Sequence, residues 1–237
     1  SSSFEHMAKT IQNLMERVHR EEKELRKTEL KALQAQINPH FLYNTLDSIQ
    51  WMCEQGNTKD AAEMVRALAR LFRISISRGR ELITIKEELQ HAENYMIIQS
   101  YRYRSQFSYS IDASDELMDC LCNKITIQPL IENAIYHGID RMVDEGEIKI
   151  TVKPAEDDDD ILITVSDNGV GMTKEQCGKI LAKDRSDSGG IGVKNANDRL
   201  KIYFGEKYGL SIESELDVGT TVTVRIPKIY KEAQNEP

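Results

Sequence analysis

The chain has 237 residues, about one and a half domains at roughly 150 residues each, and is 40% hydrophobic and 30% charged. Its 5 prolines and 13 glycines fit a folded, helix-rich protein and exclude a disordered one. A balance of 31 Lys and Arg against 39 Asp and Glu leaves a net charge of −8 with no basic block that could neutralise a phosphate backbone, so no nucleic-acid partner is expected.

No apolar run approaches the ~20 residues that cross a bilayer, so this stretch is expected to make no membrane contact. Ser1 to Met7 reads as an expression remnant, and His6 gets no role. From there Ile11, Leu14, Val18, Leu25, Ala32 and Ala35 fall on the a and d sites of one heptad frame, with Glu21 and Thr28 as defects, which predicts a coiled coil. Leu42, Leu46, Ile49 and Cys53 continue as one helical face until Gly56 and Asn57 stop it. A second helix from Thr58 carries Ala61, Val65, Leu68, Phe72 and Ile76 at the same spacing and ends before Gly79. Two helices joined by so short a turn form a hairpin whose apolar stripes require a second copy, hence a homodimeric four-helix bundle.

After Arg80 the texture changes. Thr84 and Glu87 form a capping-box pattern ahead of a helix running to about Arg104, and Phe107 to Ile111 alternates as a strand. Ile125 to His137 reads as a helix closed by Gly138. Ile148, Ile150 and Val152, then Ile161, Ile163 and Val165, alternate as strands around an acidic turn, Asp157 to Asp160, better explained as a solvated hairpin tip than as a metal site. Thr173 and Gln176 cap a further helix, Val193 to Phe204 makes another, and Val222, Val224 and Ile226 close the sheet. The fold class is α+β, a sandwich with an antiparallel or mixed sheet. The expected division is a remnant at 1–7, a signalling helix and hairpin at 8–80, a second domain at 81–230 and a tail at 231–237. Cys53, Cys120, Cys122 and Cys177 are too irregularly spaced for a disulfide framework or a paired zinc site and read as idle thiols.

Three clusters invite a ligand. Asp167, Asn168, Gly169, Val170 and Gly171 sit where a strand gives way to a helix; the carboxylate could accept from an exocyclic amine while the glycines let a flat base approach, although the same residues also make an ordinary turn. Gly189, Gly190 and Gly192 open a helix N-terminus suited to phosphate, or form a plain glycine linker; neither a Walker loop nor a dinucleotide fingerprint is present. Asn133 lies at the edge of the buried face of its helix, where an amide oxygen could hold a hydrated Mg2+. His137 is one turn on, a second ligand or simply a helix-end residue beside its capping glycine.

Taken in order, Asn133, Asp167-x-Gly169-x-Gly171, Gly189-Gly190-x-Gly192 and Gly219-Thr220 resemble the N, G1, G2 and G3 boxes of the Bergerat ATP-binding fold shared by histidine kinases, gyrase-type ATPases, MutL and Hsp90. The resemblance implies that Asp167 recognises the adenine of ATP with support from Thr220, that Asn133 holds Mg2+, and that Gly189 to Gly192 form a lid. Upstream, Gln36-Ile37-Asn38-Pro39-His40-Phe41-Leu42-Tyr43-Asn44 resembles the phospho-acceptor motif of the LytS/YesM-type sensor histidine kinases, and Gln128-Pro129-Leu130-Ile131-Glu132-Asn133-Ala134 fits the same family. This implies Mg-ATP-dependent autophosphorylation on His40 and transfer to an aspartate of a separate response regulator. It also implies transmembrane and sensor segments upstream, making this stretch the cytoplasmic portion of a bacterial plasma-membrane protein.

The residues bear on that chemistry directly. At 100° per residue His40 lies about 150° from the Leu42 stripe, so its imidazole should face solvent, and a neutral imidazole is a competent nucleophile near neutral pH. Pro39 should bend the helix. The residue after the histidine is Phe41 rather than an acid, so Asn44, one turn on, or Asp47 has to orient or deprotonate the ring. Four residues before Asn133, where gyrase-type ATPases place a water-activating Glu, stands Pro129, which cannot act as a base; phosphoryl transfer is favoured over ATP hydrolysis. The short loop between Gly171 and Gly189 is expected to order only over bound nucleotide. The competing readings are a Bergerat-fold ATPase and a non-catalytic dimeric scaffold.

Overall fold

The computed structural model describes residues 15, 17, 39–76, 80–103, 106–139, 145–156, 159–181 and 191–230, the side chains of 137, 179, 181 and 191 excepted. The heptad frame and any bend introduced before Pro39 fall outside the described residues; Met15 and Arg17 are helical and exposed. By internal contacts the chain divides into residues 1–47 and 48–237.

Helix α1, Pro39–Glu54, begins in the first unit and ends in the second. Its buried residues are Phe41, Thr45 and Met52, whereas Leu46 and Cys53 are exposed. The buried face is thus turned one residue from the expected Leu42, Leu46, Ile49, Cys53 stripe. Thr45 can take a buried place because its hydroxyl donates to the Phe41 carbonyl at 2.7 Å, one turn back on its own helix.

In the second unit Gly56, at φ +75°, makes the turn into α2, Thr58–Ser75. Here too the expected face is rotated: Ala61, Met64, Leu68, Leu71 and Ser75 are buried, while Val65 and Ile76 are exposed. The cause is tertiary, because α2 packs along α3, Ile85–Arg102. The contact has polar anchors at both ends, the Ser75 hydroxyl 2.9 Å from His91 Nε2 and the Tyr101 hydroxyl donating to Glu63 at 2.8 Å. Burial lowers the pKa of His91 to about 4, so the ring is neutral there.

Helix α3 starts at the expected capping box, the Thr84 and Glu87 side chains each bonded to the other's backbone N–H. A five-stranded sheet follows in the order β2-β4-β5-β7-β6, formed by β2 (Phe107–Ala113), β4 (Gly146–Pro154), β5 (Asp160–Asp167), β6 (Gly209–Glu215) and β7 (Gly219–Pro227). The β2–β4 pair is parallel and the other pairs are antiparallel, so the sheet is mixed. Ile148, Ile150, Val152, Ile161, Ile163, Val165, Val222, Val224 and Ile226 form its buried face. Against it lie α3, the turn Ala134–Gly138 and α6 (Ile191–Phe204), contributing Met96, Ile135, Ala196 and Leu200, with α4 (Gln128–Asn133) packed on α3 and α6 and burying Ile131. The opposite face is polar, with Ser166 and Thr221 hydroxyls 3.1 Å apart across β5 and β7. The domain is an α+β two-layer sandwich.

Two short strands, β1 (Leu82–Thr84) and β3 (Leu121–Asn123), pair antiparallel, and neither they nor β6 carry enough alternation to show in the sequence. Helix α5, Lys174–Leu181, follows reciprocal bonds between Thr173 and Gln176. The acidic turn needs correction. Residues 157 and 158 fall outside the described residues and Asp159 is exposed, but Asp160 is only 1% exposed. It opens β5 and accepts from Arg225 Nε at 2.6 Å and the Tyr208 hydroxyl at 3.1 Å, with Lys207 Nζ at 3.3 Å. A buried carboxylate is tolerated because three donors from two other segments meet it.

Candidate active site

The segment expected to be one helix from Ile125 to His137 is three structures in series. Lys124 to Thr126 turn sharply, with Ile125 at φ +55°; α4 then runs Gln128–Asn133 with Pro129 in its first turn, where no amide donor is needed; and Ala134–Gly138 continues as a π-helical turn. Leu130 and Ile131 of α4 and Ile135 of the π turn are buried in the core, which fixes the helix between α3 and α6 and leaves Asn133 8% exposed. No described residue forms a hydrogen bond with the Asn133 amide. Its neighbour Glu132 is engaged otherwise, accepting from Gln128 Nε2 at 2.8 Å and from the Tyr95 hydroxyl, and burial raises its carboxyl above the usual range. The side chain of His137 falls outside the described residues; its backbone belongs to the π turn.

The π turn ends at Gly138, beside the end of β5. A Cβ on Gly138 would stand 2.8 Å from Asp167 Oδ1, and a Cβ on Gly169 would collide with the Gly138 backbone. The two glycines are therefore required by the approach of two chain segments, which the sequence reading of Gly138 as a helix cap missed. Asp167 Oδ1 accepts from the Gly169 N–H at 2.9 Å, and its backbone pairs with Thr220 on β7. Burial raises the Asp167 pKa to about 6, outweighing the N–H groups of Gly169 and Thr220, which pull it down. Asn168 anchors the loop, its Oδ1 accepting from the Glu147 N–H at 2.7 Å.

Gly171, at φ +66°, packs so closely on the Glu215 carbonyl that a Cβ there would overlap it, and Gly219, at φ +135°, does the same against Asp167. Thr220 is 5% exposed and its hydroxyl lies 2.8 Å from Ser214 Oγ. Ser214 also accepts from the Met172 N–H at 2.8 Å and donates to the Gly219 carbonyl at 2.9 Å, tying the glycine loop to β7. Ser214 had no sequence signal, since it lies on the unforeseen strand β6.

Of the expected lid glycines, Gly189 and Gly190 fall outside the described residues. Gly192 is exposed in the first turn of α6, where a Cβ would meet Pro129 at 3.3 Å, so the glycine helix abuts α4. The tertiary structure thus brings Gly138, Asp167, Gly169 and Thr220 to one point, with Asn133 on the helix leading into it and Gly171 on the loop leading out.

His40 and Asn44 belong to the other unit. His40 is exposed in the first turn of α1, with Asn44 Nδ2 3.2 Å from its Nε2 and 3.3 Å from its Nδ1, so the amide can donate to whichever nitrogen lacks a proton. Asp47 is exposed and makes no hydrogen bond to it.

The histidine kinase family model matches residues 28–107, and the model of histidine kinase-, DNA gyrase B-, and HSP90-like ATPases matches residues 122–229. The sensor histidine kinase YesM of Bacillus subtilis is 42% identical over 224 residues, covering 94% of this chain and 37% of that protein. The sensor protein LytS of Bacillus cereus is 33% identical over 208 residues (86% of this chain, 35% of that protein). The sensor histidine kinase BtsS of Escherichia coli is 30% identical over 218 residues (92% and 36%). The chain spans a little over a third of the length of these relatives. With a histidine kinase segment followed by an ATPase-type domain, and with this identity across nearly its whole length, the chain belongs to the LytS/YesM-type sensor histidine kinases.

Proposed function

We propose that this chain is the kinase portion of a two-component sensor, binding Mg-ATP between α4, β5 and β7, phosphorylating His40 and passing the phosphoryl group to an aspartate of a response regulator. The observation that carries the reading is the Asp167 carboxylate, set at a strand end against Gly138 and Gly169, whose backbones approach it so closely that a Cβ on either would crowd its Oδ1, with Thr220 paired to its backbone. Adenine offers an amine donor to such a carboxylate and a flat face to such glycines.

Asn133 fits a metal-side role. Its buried amide has no described partner, and Mg2+, which keeps most of its waters, takes few protein ligands beside phosphates. Bound there, Mg2+ would neutralise charge on the phosphates. Everything else falls to the chain: Asp167 and Thr220 hold the base, Gly189 to Gly192 cover the phosphates, Asn44 aims the ring of His40, and His40 attacks the γ-phosphorus as the bond to ADP breaks. Pro129 supplies no base for water, which favours transfer over hydrolysis. His137 is proposed as a nucleotide contact from its place in the π turn.

The wider assembly is part of the same proposal. A homodimeric four-helix bundle built from residues 8–80, fed by a coiled coil, would cover Tyr43, Leu46 and Trp51 of α1 and Val65 and Ile76 of α2, all exposed in one chain. The ATP-binding domain would span 81–230. No helix among the described residues is long and apolar enough to cross a membrane; we place this stretch on the cytoplasmic side of a membrane-anchored bacterial sensor.

Two measurements test the core of this reading. With γ-labelled Mg-ATP the protein should gain label that survives alkali and is lost in acid, and Asn133→Ala should reduce its rate at least a hundredfold; acid-stable label, or label undiminished by Asn133→Ala, would refute the reading. The second uses pH. Adenine binds the ionised carboxylate, and Asp167 becomes protonated as pH falls through about 6, so ADP affinity is full above that value and lost below it. Calorimetry should give about tenfold weaker binding at pH 5 than at pH 7.5, with the dependence flattened in Asp167→Asn. A flat profile in the unaltered protein would remove Asp167 from the adenine site.

A further inference from the structure

Helix α4 starts without a side-chain cap of its own: Ile127 precedes it, and no capping hydrogen bond comes from that residue. The turn ahead of it is held by a distant residue instead. Glu88, in α3 and 1% exposed, accepts from the N–H of Ile125 at 2.8 Å, Thr126 at 2.7 Å and Ile127 at 2.8 Å. A carboxylate supplied from another helix thus gathers three successive backbone N–H groups of the turn that leads into α4. On the other side of the same turn, Arg199 Nη2 of α6 donates to the Ile125 carbonyl at 2.7 Å. Ile125 is a β-branched residue at φ +55°, a conformation that persists only where its surroundings hold it. Both of its backbone polar groups are held, one from α3 and one from α6.

This double grip sits at a telling place. The turn leads directly into the helix of Asn133, and α6 is the helix whose first turn contains Gly192, at the end of the glycine segment. The adenine-side groups Asp167 and Thr220 lie elsewhere, on β5 and β7. Arg199 is half-buried, and its Nε is enclosed without a hydrogen-bond partner among the described residues.

We infer that Glu88 and Arg199 are positioning residues that set the Ile125–Ile127 turn and so fix Asn133 for the Mg2+-phosphate half of the nucleotide, leaving the adenine half independent of them. This rests on the Mg-ATP reading above.

The test is calorimetric titration of ADP into the whole chain, in EDTA and in excess Mg2+, for the unaltered protein, Glu88→Gln and Arg199→Lys, with thermal melting of each. Arg199→Lys keeps the charge but loses the guanidinium reach to Ile125, and it keeps the question answerable should Glu88→Gln fail to fold. In either variant Mg-free ADP affinity should stay within twofold, while the enhancement of affinity by Mg2+ falls at least fivefold and the Mg2+ concentration for half-maximal phosphorylation rises by a similar factor. An unchanged Mg2+ enhancement in a folded Arg199→Lys protein would overturn the inference. So would equal losses with and without Mg2+ accompanied by a lower melting temperature, which mark a purely structural role. An unaltered chain that binds no ADP at all would instead overturn the ATP-binding reading itself, taking this inference with it.

Discussion

Replacing His40 with Gln is expected to reduce acid-labile label to background while leaving ADP affinity within twofold of the unaltered protein. The side chain supplies the attacking nitrogen, and glutamine, similar in reach and also polar, has no nucleophilic lone pair to replace it. The groups proposed to hold nucleotide all lie between Asn133 and Thr220, outside α1, so binding should be spared. Asn44→Ala tests orientation apart from nucleophilicity. Its amide stands 3.2 Å from His40 Nε2; a neutral hydrogen bond of that kind contributes about 0.5–1.5 kcal/mol, or roughly two- to tenfold in rate if it aims the ring in the transition state. Label persisting in His40→Gln would move the chemistry to another residue, and an unchanged rate in Asn44→Ala would remove Asn44 as the group that orients the ring.

The second large effect is expected from a single methyl group. Gly169→Ala places a Cβ against the Gly138 backbone and 2.7 Å from Asp167 Oδ1, so either the π turn or the carboxylate has to retreat. Backbone cannot yield as a flexible side chain does, and overpacking of this sort costs about 1–3 kcal/mol. The displacement falls on the proposed adenine acceptor, so ADP affinity should drop at least tenfold with a modest fall in melting temperature. Gly171→Ala provides the contrast. At φ +66° and packed on the Glu215 carbonyl it combines backbone strain with collision, and its main loss should be in stability, about 2–4 kcal/mol by adding the two effects. ADP affinity within twofold in Gly169→Ala would show that the glycine pair serves folding and not the ligand.

Several features were legible because they depend on neighbours in sequence. The Thr84–Glu87 and Thr173–Gln176 caps are formed as read, since a capping box joins residues three apart. The alternation of Ile148, Ile150 and Val152 and of Val222, Val224 and Ile226 gives strands with those residues buried, because a two-residue period leaves only one face to choose. The helical faces were less secure. On α1 and α2 several registers bury comparable apolar content, and packing of α2 along α3 selects the one containing Met64 and Leu71 over the one containing Val65 and Ile76. Asp160 shows the same limit for charge: its partners Lys207, Tyr208 and Arg225 stand 47 to 65 residues away in the sequence, so nothing beside it distinguishes it from its solvated neighbours.

By itself, then, the sequence determined the α+β class, the caps, the periodic strands and, through the order of its motifs, the family, because each of these is written in short spacings or in residue identity. Only the tertiary structure decided what Gly138, Ser214, Glu88 and Arg199 are for. Gly138 is needed where a helix end meets a strand end, Ser214 where a loop meets β7, and Glu88 and Arg199 where a turn would otherwise leave buried N–H and C=O groups unpaired. These are contacts between segments tens of residues apart, and no local pattern encodes which backbone group a distant side chain will meet.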